Sequence, residues 1–110
     1  KQMSDRFWEE NAYAEGEPDR VVLCVALKAE KVGQPVYHKT YVMDAWGDAR
    51  GSAMARLVSH IVAEAVESVL TREIPIGVTA APHDPKLVAR WMDTVQGLAQ
   101  HLAVVDHPTH

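Results

Sequence analysis

The pattern of apolar and polar positions divides the chain into a few segments of distinct period. Val21, Leu23, Val25, Leu27 and Ala29 alternate with Val22, Cys24, Ala26, Lys28 and Glu30. Period two predicts a strand, apolar on both faces at first and then polar on one. Val32-Gly33-Gln34-Pro35 reads as a turn, and Val36 to Met43 resumes extended character through Tyr37, Thr40, Tyr41 and Val42. So short a link makes the two strands an antiparallel hairpin. Trp46 to Gly51 is expected to be a loop.

From Ser52 to about Arg72 the period changes to that of a helix. Met54, Leu57, Val58, Ile61, Val62, Ala65, Val66, Val69 and Leu70 form one apolar stripe, opposite Arg56, His60, Glu64, Glu67 and Ser68. That stripe is expected to face the core, with Ser52 as the N-cap. Ile74 to Val78 is a short apolar stretch that Pro75 confines to an edge strand or no strand at all. A second helix is predicted from Pro85 to about Gln100, capped by Asp84, with Leu87, Val88, Trp91, Val95, Leu98 and Ala99 as its core side. Leu102 to Val105 closes as a strand. The predicted class is α+β: a small, mainly antiparallel sheet with two helices packed on one face. Residues 1–19 form an irregular N-terminal segment with at most a helical turn near Phe7, 20–106 the domain, and 107–110 a tail.

Composition narrows the function. The chain has 110 residues, enough for one domain, with 47% hydrophobic and 24% charged residues. A net charge of -4 and a pI near 5.8 disfavour nucleic acid and anionic membrane surfaces as partners. No apolar run approaches the roughly 20 residues of a membrane helix. Cys24 is the single cysteine, which excludes an internal disulfide and points to the cytoplasm. Mid-strand among apolar neighbours, it reads as a small core residue rather than a nucleophile.

No two of the six glycines stand two apart, so neither a G-x-G-x-x-G turn nor a phosphate-binding P-loop can be built, and no cofactor is expected to bind this chain. The histidines are scattered; only His107 and His110 lie close together, and no metal site is expected. His38 or His60 could act as a general base only with an orienting partner, which the sequence does not supply. The richest segment runs from Asp48 to Arg56, where a loop feeds a helix start. Its free amides, with Arg50 and Arg56, could hold a carboxylate or phosphate. The alternative is simple capping with two solvated arginines. Trp46 either lines a pocket beside them or covers the sheet edge.

Pro18-Asp19-Arg20-Val21-Val22-Leu23, the hairpin tip at Gly33, Ser52-Ala53-Met54-Ala55-Arg56 and Gly77-Val78 with Pro82 occur in an order that resembles the C-terminal region of the saccharopine dehydrogenase family. The likeness spans roughly residues 18 to 106. Leu57-Val58-Ser59 and Pro82-His83 depart from the family pattern, which suits a looser relative of the carboxynorspermidine-enzyme kind. The resemblance implies an NAD(P)-dependent parent oxidoreductase acting on a secondary amine that links an amino acid to a keto acid or aldehyde. Its N-terminal Rossmann domain would hold the cofactor. This chain would be the substrate-side domain, inactive alone and able to form a homodimer, with Trp46, Arg50, Ser52, Met54 and Arg56 facing an amino-acid-type substrate. The chain begins at Lys1, consistent with a piece of a longer protein. The competing expectation is a free-standing homo-oligomeric small-molecule-binding or interaction module, without catalysis, whose first strand pairs across a two-fold axis.

Overall fold

A computed structural model describes residues 1–109. The elements run α1 (Gln2–Asn11), β1 (Arg20–Lys31), β2 (Gln34–Trp46), α2 (Ala53–Leu70), α3 (Pro85–Leu98) and β3 (His101–Asp106). Among the described residues the strands form one antiparallel sheet in the order β1-β2-β3. The α+β class and the hairpin are as the pattern predicts. Both hairpin strands extend two or more residues beyond the apolar run at one end, because backbone pairing continues after side-chain alternation stops.

The hairpin turn is as tight as a hairpin allows. Val32 and Gly33 both have positive φ, 52° and 73°, the twist that matches two right-handed strands. Gly33 adopts it freely, whereas a β-branched Val32 is strained there. One extra residue on β2 near Val36 forms a bulge opposite Ala29 and Glu30, which leaves β1 regular.

Strand parity sorts the two sheet faces. Leu23, Val25 and Leu27 of β1 share a face with Tyr41 and Met43 of β2 and Leu102 of β3, and these border a groove with Val88, Met92 and Val95 of α3. Val22, Cys24 and Ala26 lie on the opposite face and are exposed. Cys24 is therefore a surface thiol, not the core residue expected: nothing in the described chain covers that face.

α2 also departs from expectation. Its ends fall close to those predicted, with Ser52 Oγ accepting from the Ala55 amide. Its buried positions, however, are Ala53, Arg56 and Ser68, while Met54, Val58, Val62, Val66 and Val69 face solvent. The helix leans on α3 through polar groups. Ser68 Oγ, fully buried, accepts from Arg90 Nη2 (2.9 Å) and Trp91 Nε1 (3.3 Å) and donates to the Glu64 carbonyl (2.7 Å). Glu64 accepts from Thr94 (2.6 Å) and Arg90 (3.3 Å), and Glu73 accepts from Arg90.

Ile74 to Val78 forms no strand; Ile76 and Val78 are fully exposed. The N-terminal segment, expected to be irregular, holds the ten-residue α1, steadied by an Arg6–Glu10 ion pair and an Asn11 side-chain bond to the Phe7 carbonyl. It buries nothing, and Phe7 and Trp8 are exposed. α3 starts as predicted, with Asp84 accepting from the Lys86 and Leu87 amides. At the tail, His107 stacks on His38 with ring centroids 4.2 Å apart and bonds Thr40. The predicted close pair of His107 with His110 falls in part outside the described residues. The apolar core is small: Met43, Ala45, Ala53, Leu87 and Leu98.

Candidate functional site

The densest polar construction lies where β2 ends, α2 begins and α3 ends. Its first component is Asp19, just before β1. One carboxylate oxygen accepts from the Ala53 amide (2.8 Å) and the other from Met54 (2.9 Å), so both oxygens sit on the first turn of α2. Those amides and the positive helix end favour the ionised form. They hold the Asp19 pKa below its ordinary value, the Met54 amide contributing most and Ala53 next. The carboxylate that α2 holds is thus one of the chain's own.

Gly47 is what lets Asp19 approach. Its amide donates to the Asp19 carbonyl (2.9 Å), and a Cβ at position 47 would lie 2.7 Å from Asp19 Oδ1. Any side chain there would push the carboxylate off the helix. The next four residues close on themselves, as Asp48 and Gly51 exchange backbone bonds of 3.1 and 2.9 Å.

Asp48 is the anionic centre of this loop. It accepts from the Arg50 side chain (2.7 Å at closest) and amide (2.8 Å), from Arg56 Nη1 (3.0 Å) and from Gln100 Nε2 (3.1 Å). These donors depress its pKa from 3.8 to about 2, chiefly through the Arg50 side chain and then its amide.

Arg56 is the cationic hub. It is buried, and besides Asp48 it donates to the carbonyls of Gly51 (2.6 Å), Trp46 (3.1 Å) and Leu98 (3.2 Å). One guanidinium therefore ties together the end of β2, the 47–51 loop and the end of α3. Its planar fork suits that task, as a lysine would not.

The five residues singled out in the sequence do converge, in different environments. Arg56 is internal. Arg50 is half exposed but paired with Asp48 and with the Gly97 carbonyl (2.9 Å). Ser52 and Met54 are solvent-facing. Trp46 is half buried, its ring 5.8 Å from that of His101, and its backbone N–H and carbonyl both bond the Gln100 side chain (2.8 and 2.9 Å). Sequence reasoning missed Asp19, Gly47 and Gln100 as parts of this construction, and placed Asp48 in the richest segment without giving it a role. Only Pro18-Asp19 before a strand hinted at the first.

No family model matches the chain, and no curated protein or solved structure matches it either.

Beside the loop is an open hollow of about 580 Å³, lined by Tyr13, Glu17, Asp19, Asp48, Gly51 and Ser52 among others. The carboxylates of Glu17, Asp19 and Asp48 border it with the Ser52 hydroxyl at its edge, Asp48 offset by Arg50 and Arg56 and Asp19 by the first turn of α2. Among the described residues no group of three or more histidine, cysteine or carboxylate side chains is arranged to hold a metal. His38 is stacked on His107 and His60 stands exposed on α2, so neither faces this hollow. Among the described residues no helix is long and apolar enough to cross a membrane.

Proposed function

We propose that this chain is the substrate-side, dimer-forming domain of a cytoplasmic, saccharopine-dehydrogenase-like NAD(P)-dependent oxidoreductase. The parent acts on a secondary amine linking an amino acid to a keto acid or aldehyde. The observation that carries the reading is the meeting of the two segments on which the resemblance rests. Asp19 of the Pro-Asp strand entry lies on the Ala53 and Met54 amides of the Ser-Ala-Met-Ala-Arg helix start. Two short motifs far apart in the chain thus form one structural unit, as they would if both served one cleft.

In this reading the nicotinamide cofactor belongs to an N-terminal Rossmann domain of the parent. The substrate amine, cationic at neutral pH, lies by the carboxylates beside Ser52, which borders the hollow. Trp46, Arg50 and Met54 surround the same helix start as the other substrate-side residues, and Arg56 positions the loop from within. The solvent-facing apolar stripe of α2 suits a domain that another domain covers.

The chain alone is expected to show no dehydrogenase turnover with either nicotinamide cofactor. Turnover by the pure chain overturns the reading. So does a native coding frame that lacks an upstream strand, G-x-G-x-x-G turn and helix. Amide shifts at Ser52 to Met54 on titration with a secondary-amine amino acid support the substrate placement; their absence at millimolar ligand counts against it. The open edge of β1 favours a second reading, a free-standing homo-oligomeric binding or interaction module, which a start codon close upstream would select.

A further inference from the structure

Among the described residues β1 has one neighbour, β2, and its other edge is bare for the length of a twelve-residue strand. Native edge strands are protected by brevity, proline, a bulge or a central charge. β1 has none of these: Val21 to Leu27 is an uninterrupted apolar run, and the hairpin's bulge falls on β2. The opposite edge, β3, is only six residues long.

The surface of the chain points the same way. Its accessible area is 8765 Å². A compact monomer of 12.2 kDa would expose about 6,100 Å². The excess includes α1, which buries nothing, and the exposed Ile76 and Val78, and leaves room for the roughly 800 Å² that each partner buries in a standard interface. The radius of gyration, 18.2 Å, likewise exceeds the value of about 13 Å for a compact domain of this length.

We infer that β1 pairs antiparallel with β1 of a second copy, about a two-fold axis through Val25, to make one six-stranded sheet. The inference rests on the homo-oligomer that both readings above include and adds the surface and the register. Residues directly opposite in such a pair lie on the same face of the sheet, so the registers to compare differ by steps of two. Centred on Cys24, the pair sets Arg20 against Lys28 of the other copy, twice, a like-charge clash. Centred on Ala26, it leaves Arg20 facing the turn at Val32. Centred on Val25, it sets Arg20 against Glu30, Leu23 against Leu27 and Val25 against itself. Arg20, paired with Asp44 in its own chain, then meets Glu30, which is paired with Lys28, so the two ion pairs join with alternating sign, and the apolar grooves under the two α3 helices join into one strip.

The 110-residue chain is expected to run at twice its 12.2 kDa mass in size-exclusion chromatography with light scattering at tens of micromolar. Val25→Lys places two ammonium groups face to face and should raise the dimer dissociation constant by about 100-fold or more, with an unchanged far-ultraviolet spectrum. Mixing V25K with V25E should restore the dimer. The register has its own readout. A C24S/V25C variant should oxidise rapidly to a covalent dimer, because directly opposed residues have Cα atoms about 4.5–5.5 Å apart, within disulfide reach. Cys24 of the unaltered chain, opposite Ala26, should cross-link far more slowly. A monomeric unaltered chain, a V25K variant that stays dimeric, or faster cross-linking through Cys24 overturns the inference. These measurements are blind to cofactor and substrate, so their failure is separable from failure of the oxidoreductase reading, which turnover and the upstream coding frame test.

Discussion

Replacing Arg56 with methionine separates a structural role from a ligand-binding one. Methionine keeps most of the aliphatic volume, so the cavity contribution is small. What is lost is the set of bonds to Asp48 and to the carbonyls of Gly51, Trp46 and Leu98. Three of these acceptors keep another donor: Asp48 retains Arg50, Gly51 retains the Asp48 amide and Trp46 retains Gln100. The Leu98 carbonyl loses its side-chain donor, and a buried acceptor stripped of its partner costs about 1–3 kcal/mol. Breaking a buried ion pair costs about 3–5 kcal/mol. Asp48 is 29% exposed and Arg56 Nε has no partner to lose, so the low end applies, about 3 kcal/mol. For a domain of this size that lowers Tm by roughly 12–24 °C. Urea unfolding followed by tryptophan fluorescence should show a lower midpoint with an unchanged slope. Arg56→Lys should fall between, since an ammonium can meet Asp48 but not the three carbonyls together. A loss below about 1 kcal/mol, on the scale of a surface substitution, would refute the view of Arg56 as the internal tie and return it to the group of free anion ligands.

Gly47→Ala should destabilise the fold by about 1–3 kcal/mol, because its Cβ meets Asp19 Oδ1. In an Asp19→Ala background the same change should cost much less, and a double-mutant cycle by urea unfolding measures that coupling. The Asp48 pKa is depressed on folding, so its contribution is fully present above 3.8 and fades as pH falls toward about 2. Acid unfolding of Asp48→Asn should accordingly be shallower across that window. Ser68→Ala removes the acceptor shared by Arg90 and Trp91 and should cost about 1–3 kcal/mol, read by denaturation together with a change in tryptophan emission.

The hairpin, both long helices and the Ser52 and Asp84 caps were legible because each rests on local chemistry: alternation, a glycine at the tip, a hydroxyl or carboxylate ahead of a helix. The buried side of α2 was not legible. Its valines recur at helical spacing, and a periodic stripe reports that a face is apolar, not that this chain covers it. Arg56 and Ser68 are buried instead because partners far along the sequence satisfy them: Asp48, the Leu98 carbonyl, Arg90 and Trp91. Cys24 was misplaced for the same reason, since an apolar strand does not reveal whether both its faces are packed. At the candidate site the five residues lie close together, but what each touches depends on partners that no local pattern spans: Asp19 on the Ala53 amide, the Leu98 carbonyl on Arg56 and Gln100 on Trp46.

The strand order also sets a sequence of events. β1 and β2 are joined by a two-residue turn, so they can pair with little loop-closure entropy to overcome. β3 reaches the far edge of β2 only after both long helices have been traversed, a much more distant closure. The hairpin is therefore expected to form before the sheet, and for that interval to offer two open edges to any neighbouring chain. Docking of β3 halves that hazard and, through Gln100 on Trp46, brings the end of β2 into the same cooperative unit as the helices.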